Sequence, residues 1–401
     1  MTKHPQVVSV KPSHVYDMQA GGHLQGGSPP LGGRVVFKSN GWVVAFEGPE
    51  VIADFSVPGK FSCQIHPAEN IVVARKFVHP FDDDDSEHYL FFDFEGRKLH
   101  RIDCDRFQDD RQTPTRSAVG FEEDGSFFMM APQDTRNSKL LTWPANTPIE
   151  QLGNSKHATD TIDFAHCWFE IDAPTLPGWR AFVNGYPEDC LWFTNFRTVD
   201  GKFEVGRTIP SGSSDTLTFN PDGSEFLVRT VTDSYEYLIA RHSYHEREDT
   251  PDPNWAGYTE FDFKRLAVPV SWPYDDPTSE YDRDAPEYGT FYLDSKWAIF
   301  RSCLLNRLYL LDTQAMKFVA ELEIEGFELG PAKERNRDQS RPVITFDYGE
   351  DEQTLCSDVE QILRCGDFLV ARCLAGNRER TVNKIAFVKL QTILEKLENL
   401  T

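Results

Sequence analysis

From residue 34 onward, short apolar runs alternate with turns that carry Asn, Asp or Gly. Val35-Val36-Phe37 and Trp42-Val43-Val44-Ala45-Phe46 flank Lys38-Ser39-Asn40-Gly41. Two apolar runs around Asn-Gly predict a β-hairpin, because a tight turn needs a positive φ that glycine adopts without steric cost. The shape returns at residues 119–130 around Asp124-Gly125, and at 217–228 around Asn220-Pro221-Asp222-Gly223. Weaker copies fall at 65–73, 290–300 and 344–350, with a degenerate one at 179–185 that ends in Asn184-Gly185. Many copies are followed by a second pair of predicted strands, such as Tyr89-Leu90-Phe91-Phe92-Asp93 with Lys98-Leu99-His100-Arg101-Ile102. Four short antiparallel strands per unit, repeated radially, is the plan of a β-propeller blade.

Phe219-Asn220-Pro221-Asp222-Gly223-Ser224, followed by Phe226-Leu227-Val228, resembles the turn between the first two strands of a WD-repeat or TolB-like blade. Leu308-Tyr309-Leu310-Leu311-Asp312-Thr313 resembles the third strand of such a blade. The resemblance spans roughly residues 34–390 and implies an all-β, seven-bladed propeller of a divergent kind, since the Trp-Asp dipeptide does not occur. A large β-sandwich, or two, would also accept the uneven spacing. The return of the turn at blade-like distances favours the ring.

Three regions follow. Residues 1–33 form an N-terminal segment with a Gly- and Pro-rich connector at 21–33, which lacks the Gly-Lys-Ser/Thr ending of a phosphate loop. Residues 34–390 form the propeller. Residues 391–401 form a helix, with Ile393, Leu394, Leu397 and Leu400 at helical spacing. A propeller closes by joining its ends, and Gln6-Val7-Val8-Ser9-Val10 is the expected closing strand.

Charge narrows the partners. The 401 residues hold 41 Lys and Arg against 64 Asp and Glu, a net charge of −23. That field repels phosphate backbones and anionic lipid surfaces, so neither nucleic acid nor membrane is an expected partner. No apolar run approaches the ~20 residues of a membrane span, and no secretory pattern opens the chain, so a cytoplasmic location is expected. Eight cysteines without a Cys-x-x-Cys pair read as buried thiols rather than as disulfides or a zinc site.

Candidate chemistry is sparse. His242, His245, Glu246 and Glu248 do not converge on a strand, where positions 242 and 245 point to opposite faces. Asp82-Asp83-Asp84-Asp85 lacks the alternation and glycine of a calcium loop, and Asp282 and Asp284 are followed by Pro286. No metal and no cofactor is expected, and no Gly-x-Ser-x-Gly nucleophile motif occurs. Two insertions instead combine acids with aromatics, residues 79–88 and residues 245–289. The candidate binding residues are Asp82, Asp83, Asp84, Asp85, Trp255, Trp272, Tyr274, Asp275, Asp276, Asp282 and Asp284. Acidic groups raise encounter rates with a basic surface and aromatics anchor it. The expected function is therefore non-catalytic protein binding or scaffolding toward a basic partner, with the masking of a basic toxin, as an immunity protein does, as one form. The alternative is a hydrolase or lyase with paired carboxylates in a central channel.

Overall fold

In a computed structural model, the described residues are 6–18, 22–26, 32–39, 41–57, 61–76, 88–103, 118–132, 137–165, 180–186, 190–199, 201–212, 217–231, 237–243, 291–302, 307–327, 356–376 and 381–400. Strands β1 (Gln6–Val10) and β2 (His14–Met18) come first and join sheets completed at the other end of the chain. The first sheet is β3 (His23–Gly26), β4 (Arg34–Ser39), β5 (Trp42–Glu47) and β6 (Glu50–Ser56). The second is β7 (Phe61–Ile65), β8 (Ile71–Lys76), β9 (His88–Asp93) and β10 (Lys98–Asp103). The third is β11 (Ala118–Phe121), β12 (Phe127–Pro132), β13 (Asn137–Trp143) and β14 (Asp160–Ala165). Two sheets of three described strands follow: β15 (Arg180–Tyr186), β16 (Cys190–Val199) and β17 (Lys202–Gly212), then β18 (Leu217–Phe219), β19 (Glu225–Val231) and β20 (Tyr237–Ser243). The sixth holds β21 (Phe291–Tyr292), β22 (Trp297–Ser302), β23 (Arg307–Asp312) and β24 (Lys317–Ile324), extended by β1. The seventh holds β25 (Cys356–Cys365), β26 (Phe368–Gly376) and β27 (Thr381–Lys389), extended by β2. Helix α1 (Leu390–Glu398) ends the chain.

Each sheet packs on the next, and the series closes. In β4 and β5 the period-2 alternation of side chains sends successive residues to opposite neighbours. Val36, Val43 and Ala45 pack with Phe61, Cys63 and Ile65 of the second sheet, while Val35, Phe37, Val44 and Phe46 pack with Val370, Ile385 and Phe387 of the seventh. Strands buried on both faces read as continuous apolar runs, hence Val-Val-Ala-Phe in β5. Outermost strands are wetter, and β10 has one buried position in six. Tyr89 and Phe91 join the second sheet to Phe121, Phe127 and Trp143 of the third; Phe128 and Leu140 join the third to Phe196 of the fourth. Strands β17 and β19 adjoin, Leu227 meets Tyr292 and Tyr309, and Leu310 and Leu322 meet Leu369 and Val388. A cycle of small sheets, each hiding apolar faces only against its neighbours, is a β-propeller. The described residues supply seven such sheets.

Closure differs from expectation. Gln6–Val10 does not complete the last sheet; β2 does, antiparallel to β27. Strand β1 instead lies parallel to β24, one sheet earlier. With β3 in the first sheet, the N-terminal segment stitches three consecutive sheets together. The connector expected at 21–33 contains β3, and Gly22 within it has a packing reason. A Cβ at Gly22 would lie 2.0 Å from Phe37 Cζ, so only glycine lets the chain cross that ring. The degenerate hairpin expected at 179–185 is also corrected: Asn184 and Gly185 lie inside β15, paired with Trp192 and Leu191. The hairpin copy at 344–350 lies outside the described residues. Helix α1 begins at Leu390 and buries Leu390, Ile393 and Leu397. No described helix is long and apolar enough to cross a membrane.

Candidate functional site

Among the described residues, four turns joining first to second strands occupy equivalent ends of their sheets and are built alike. In the second, third, fifth and sixth sheets the residue just after the first strand donates its N–H back across the turn: His66 to Ile71 O (2.9 Å), Glu122 to Ser126 O (2.8 Å), Asn220 to Glu225 O (2.9 Å) and Leu293 to Trp297 O (2.8 Å). A side chain then caps each turn by accepting backbone N–H groups. Asp124 Oδ1 accepts from Ser126 at 2.8 Å, Asp222 Oδ1 from Ser224 at 2.9 Å, and Asp294 Oδ1 from Lys296 and Trp297 at 2.8 and 2.7 Å. Gly125 and Gly223 take the positive φ these turns need, +83° and +74°. Asn40-Gly41, read in sequence as the same shape, instead joins second to third strands.

His66 performs the capping with an imidazole. Its Nδ1 accepts from the N–H of Ala68 (3.1 Å) and Glu69 (2.7 Å), so that nitrogen carries no proton. The ring is buried and lies 4.6 Å from Phe121. Burial holds its pKa below the usual imidazole value, with Arg34 acting in the same direction and Glu69 opposing.

Polar ties between sheets hold these turns in place. Arg34, at the start of β4, donates through Nη1 to the carbonyls of His66 and Glu69, both at 2.9 Å, and pairs through Nη2 with Glu47 at 3.2 Å. Arg364 of β25 donates to Tyr292 O at 3.2 Å, and burial lowers its pKa. Gly366 N donates to Gly32 O at 3.0 Å, and Thr159 Oγ1 to Gly201 O at 2.6 Å. The turn at 66–71 is thus fixed twice, by its own cap and by Arg34 of the neighbouring sheet. The exposed charged groups of these turns are carboxylates, Glu69, Glu123, Asp124 and Asp222, and Asp367 is exposed in the turn between β25 and β26.

All the binding residues expected from sequence, Asp82 to Asp85, Trp255, Trp272, Tyr274, Asp275, Asp276, Asp282 and Asp284, lie outside the described residues. The inter-sheet arginines were missed by sequence reading. A lone Arg opening an apolar strand, as in Arg34-Val35-Val36-Phe37, was the available signal. Among the described residues no group of three or more His, Cys, Asp or Glu side chains is placed to hold a metal ion. Cys63, Cys365 and Cys373 are buried thiols; burial pushes Cys63 up and Cys365 up to about 12, which makes both poor nucleophiles.

The fold is that of a propeller. No protein-family model and no curated protein sequence matches the chain. Among solved structures it is similar to the β-propeller domain of Cps50 (Swd1) from Myceliophteria thermophila, at 11% identity over 94% of this chain and 99% of that one, with a TM-score of 0.48. It is similar also to Hsv2 from Kluyvelomyces marxianus, at 8% identity over 88% and 90%, with a TM-score of 0.46.

Proposed function

We propose that this propeller is a non-catalytic scaffold that binds another protein through a basic patch. The observation that carries the reading is the face of capped turns, whose backbone is locked and whose exposed groups are carboxylates. Rigid loops bind without an ordering cost, and an array of one charge sign steers a complementary partner. The acidic insertions holding Asp82–Asp85, Asp275, Asp276, Asp282 and Asp284, with Trp255, Trp272 and Tyr274, extend the same chemistry. A basic toxin or enzyme to be masked in the cytoplasm is the narrower form.

The test is affinity capture from the native host at about 50 mM and 500 mM salt, where the Debye length falls several-fold. The wild-type chain is expected to retain a basic protein at low salt only. A variant carrying Glu69→Lys, Glu123→Lys and Asp367→Lys, none of which caps a turn through its side chain, is expected to lose it. Unchanged recovery by the folded variant refutes the turn face as the contact.

A further inference from the structure

The four like-built turns differ in what caps them. Aspartates cap those at 122–126, 220–225 and 293–297, and an imidazole caps the one at 66–71. Carboxylates and imidazoles take up protons over different pH ranges, so the caps do not fail together.

The His66 imidazole is engaged at both nitrogens. Nδ1 accepts from the N–H groups of Ala68 and Glu69, at 3.1 and 2.7 Å. The other nitrogen donates to the backbone of Gly125 in the turn of the third sheet, where a Cβ would stand 3.2 Å from it. The imidazole is therefore a wedge between two turns. An imidazolium donates at both nitrogens and accepts at neither, so a proton on Nδ1 would point at the two N–H groups that now point at it. Ala68 and Glu69 are exposed, so water can take over their N–H groups, while Ile71–Lys76 stay paired on both sides within the second sheet.

The charged groups on the elements around the imidazole are Glu69 on its own turn, Arg34 of β4 with its partner Glu47 of β5, and Glu122, Glu123 and Asp124 on the turn of the third sheet. Arg34 opposes an imidazolium and Glu69 favours it. Arg34 also holds the carbonyls at both ends of the closed segment, His66 and Glu69, each at 2.9 Å. A second cation beside that guanidinium works against the contacts that pin the turn shut.

We propose that the turn at 66–71 is an acid-sensitive switch: protonation of His66 at Nδ1 opens residues 67–70 and frees the Glu69 carboxylate from its fixed place, while the seven sheets stay folded. The opening is a property of the turn itself; only its effect on binding rests on the function proposed above. In the open form that face loses one positioned carboxylate and gains a cation, which weakens its hold on a basic surface.

The test titrates the full chain, labelled with 15N-histidine, from pH 8 to pH 4.5 by NMR. Hydrogen-exchange mass spectrometry follows residues 61–76 over the same range, corrected for the intrinsic exchange rate. His66, assigned by the signal missing from His66→Asn, is expected to carry its proton on Nε2 at pH 7 and to become imidazolium below pH 6.5 with tryptophan fluorescence unchanged. Residues 67–70 should lose about tenfold in protection with the same midpoint. In His66→Asn, whose acceptor does not titrate, their protection should stay level. Should that variant not fold, Glu69→Gln changes only an exposed side chain, removes the anion that favours the imidazolium, and should move the midpoint to lower pH. The proposal is overturned by an imidazole that stays neutral until tryptophan fluorescence reports global unfolding, by protonation that leaves residues 67–70 protected, or by the same loss of protection in His66→Asn. Failure to capture a basic protein, with the switch intact, counts against the proposed function alone.

Discussion

Gln361 offers the sharpest test of how the ring is held. A bulge in β25 between Val359 and Gln361 inserts one extra residue opposite β26. Such a bulge re-aims the side chain beside it, and here it sends the Gln361 amide across to the first sheet. Oε1 accepts from Leu24 N at 2.9 Å and Nε2 donates to Leu24 O at 2.6 Å. Leu24 is buried and pairs through β3 with Phe37 of β4, so these two peptide groups face away from their own sheet. Gln361→Met keeps the volume and removes both bonds. Each bond contributes roughly 1 kcal/mol net, and a buried peptide group left unpaired costs about 1–3 kcal/mol. A loss of about 2–4 kcal/mol is expected, read as a drop of about 2–5 °C in Tm or a lower urea midpoint at unchanged slope. Gln361→Glu separates the two bonds, because a carboxylate still accepts from Leu24 N but meets Leu24 O as a repulsive oxygen. Its protonated form donates to Leu24 O, so the folded pKa rises above the ordinary ~4.3. A raised pKa gives stability that is complete below the unfolded value and lost as pH rises through the folded one. The deficit of Gln361→Glu against wild type should be widest at pH 7 and shrink toward pH 4.5. Gln361→Met within about 0.5 kcal/mol of wild type, or a Gln361→Glu deficit that ignores pH, refutes the reasoning.

Three further outcomes follow from the turns. His66 is unprotonated in the fold with a pKa below 6.5, so the unfolded chain takes up its proton first; its contribution is complete above pH 6.5 and is lost as pH falls toward the lowered value. His66→Asn, which places an acceptor where Nδ1 sits, should lose little at pH 7 and flatten that acid loss, whereas His66→Ala should cost about 1–2 kcal/mol as other lost caps do; urea melts from pH 5 to 8 decide it. Gly153 has φ +80°, and a Cβ there would stand 2.7–2.8 Å from three side-chain atoms of Ile102. Gly153→Ala combines left-handed backbone strain with overpacking, about 2–4 kcal/mol in a thermal melt. Gly326→Ala, at φ +83° with open space, should show the backbone part alone, about 1–2 kcal/mol.

The repeating part of this molecule was legible because its physics is local. A strand pair with a tight turn announces itself within a dozen residues, and Leu217–Phe219 with Glu225–Val231 around Asp222-Gly223 does so in full. Asn184-Gly185 carries the same dipeptide and forms no turn, because β15 continues through it to pair with β16 over seven residues. A dipeptide propensity of about 1 kcal/mol yields to a ladder of that length. The inter-sheet arginines left only a faint mark, a lone Arg at the end of an apolar strand, because Arg34 and Arg364 look like ordinary strand-end charges until the neighbouring sheet's carbonyls are in place.

Closure is the least repetitive part of a ring and the least readable. The first and last sheets are linked along the chain only by the short passage from β2 to β3, and they also use contacts that no internal repeat requires. These include Gln361 on Leu24, Arg372 on Gly22 O at 2.6 Å, and the rings of Tyr16, Phe46 and Phe387 with centroids 5.3–6.0 Å apart. Tyr16 belongs to β2, Phe46 to the first sheet and Phe387 to the seventh, so three segments distant in sequence supply one aromatic knot. Sequence reading looked for a single closing strand and named Gln6–Val10 for it. The true closing strand, His14–Met18, holds as many apolar residues, Val15, Tyr16 and Met18, but as an outer strand it keeps exposed and half-buried positions. Apolar count alone therefore does not separate the two; burial belongs to β1, whose Val8 and Val10 pack in the cluster that holds Ile393 and Leu397 of α1, while β2 shuts the ring from outside.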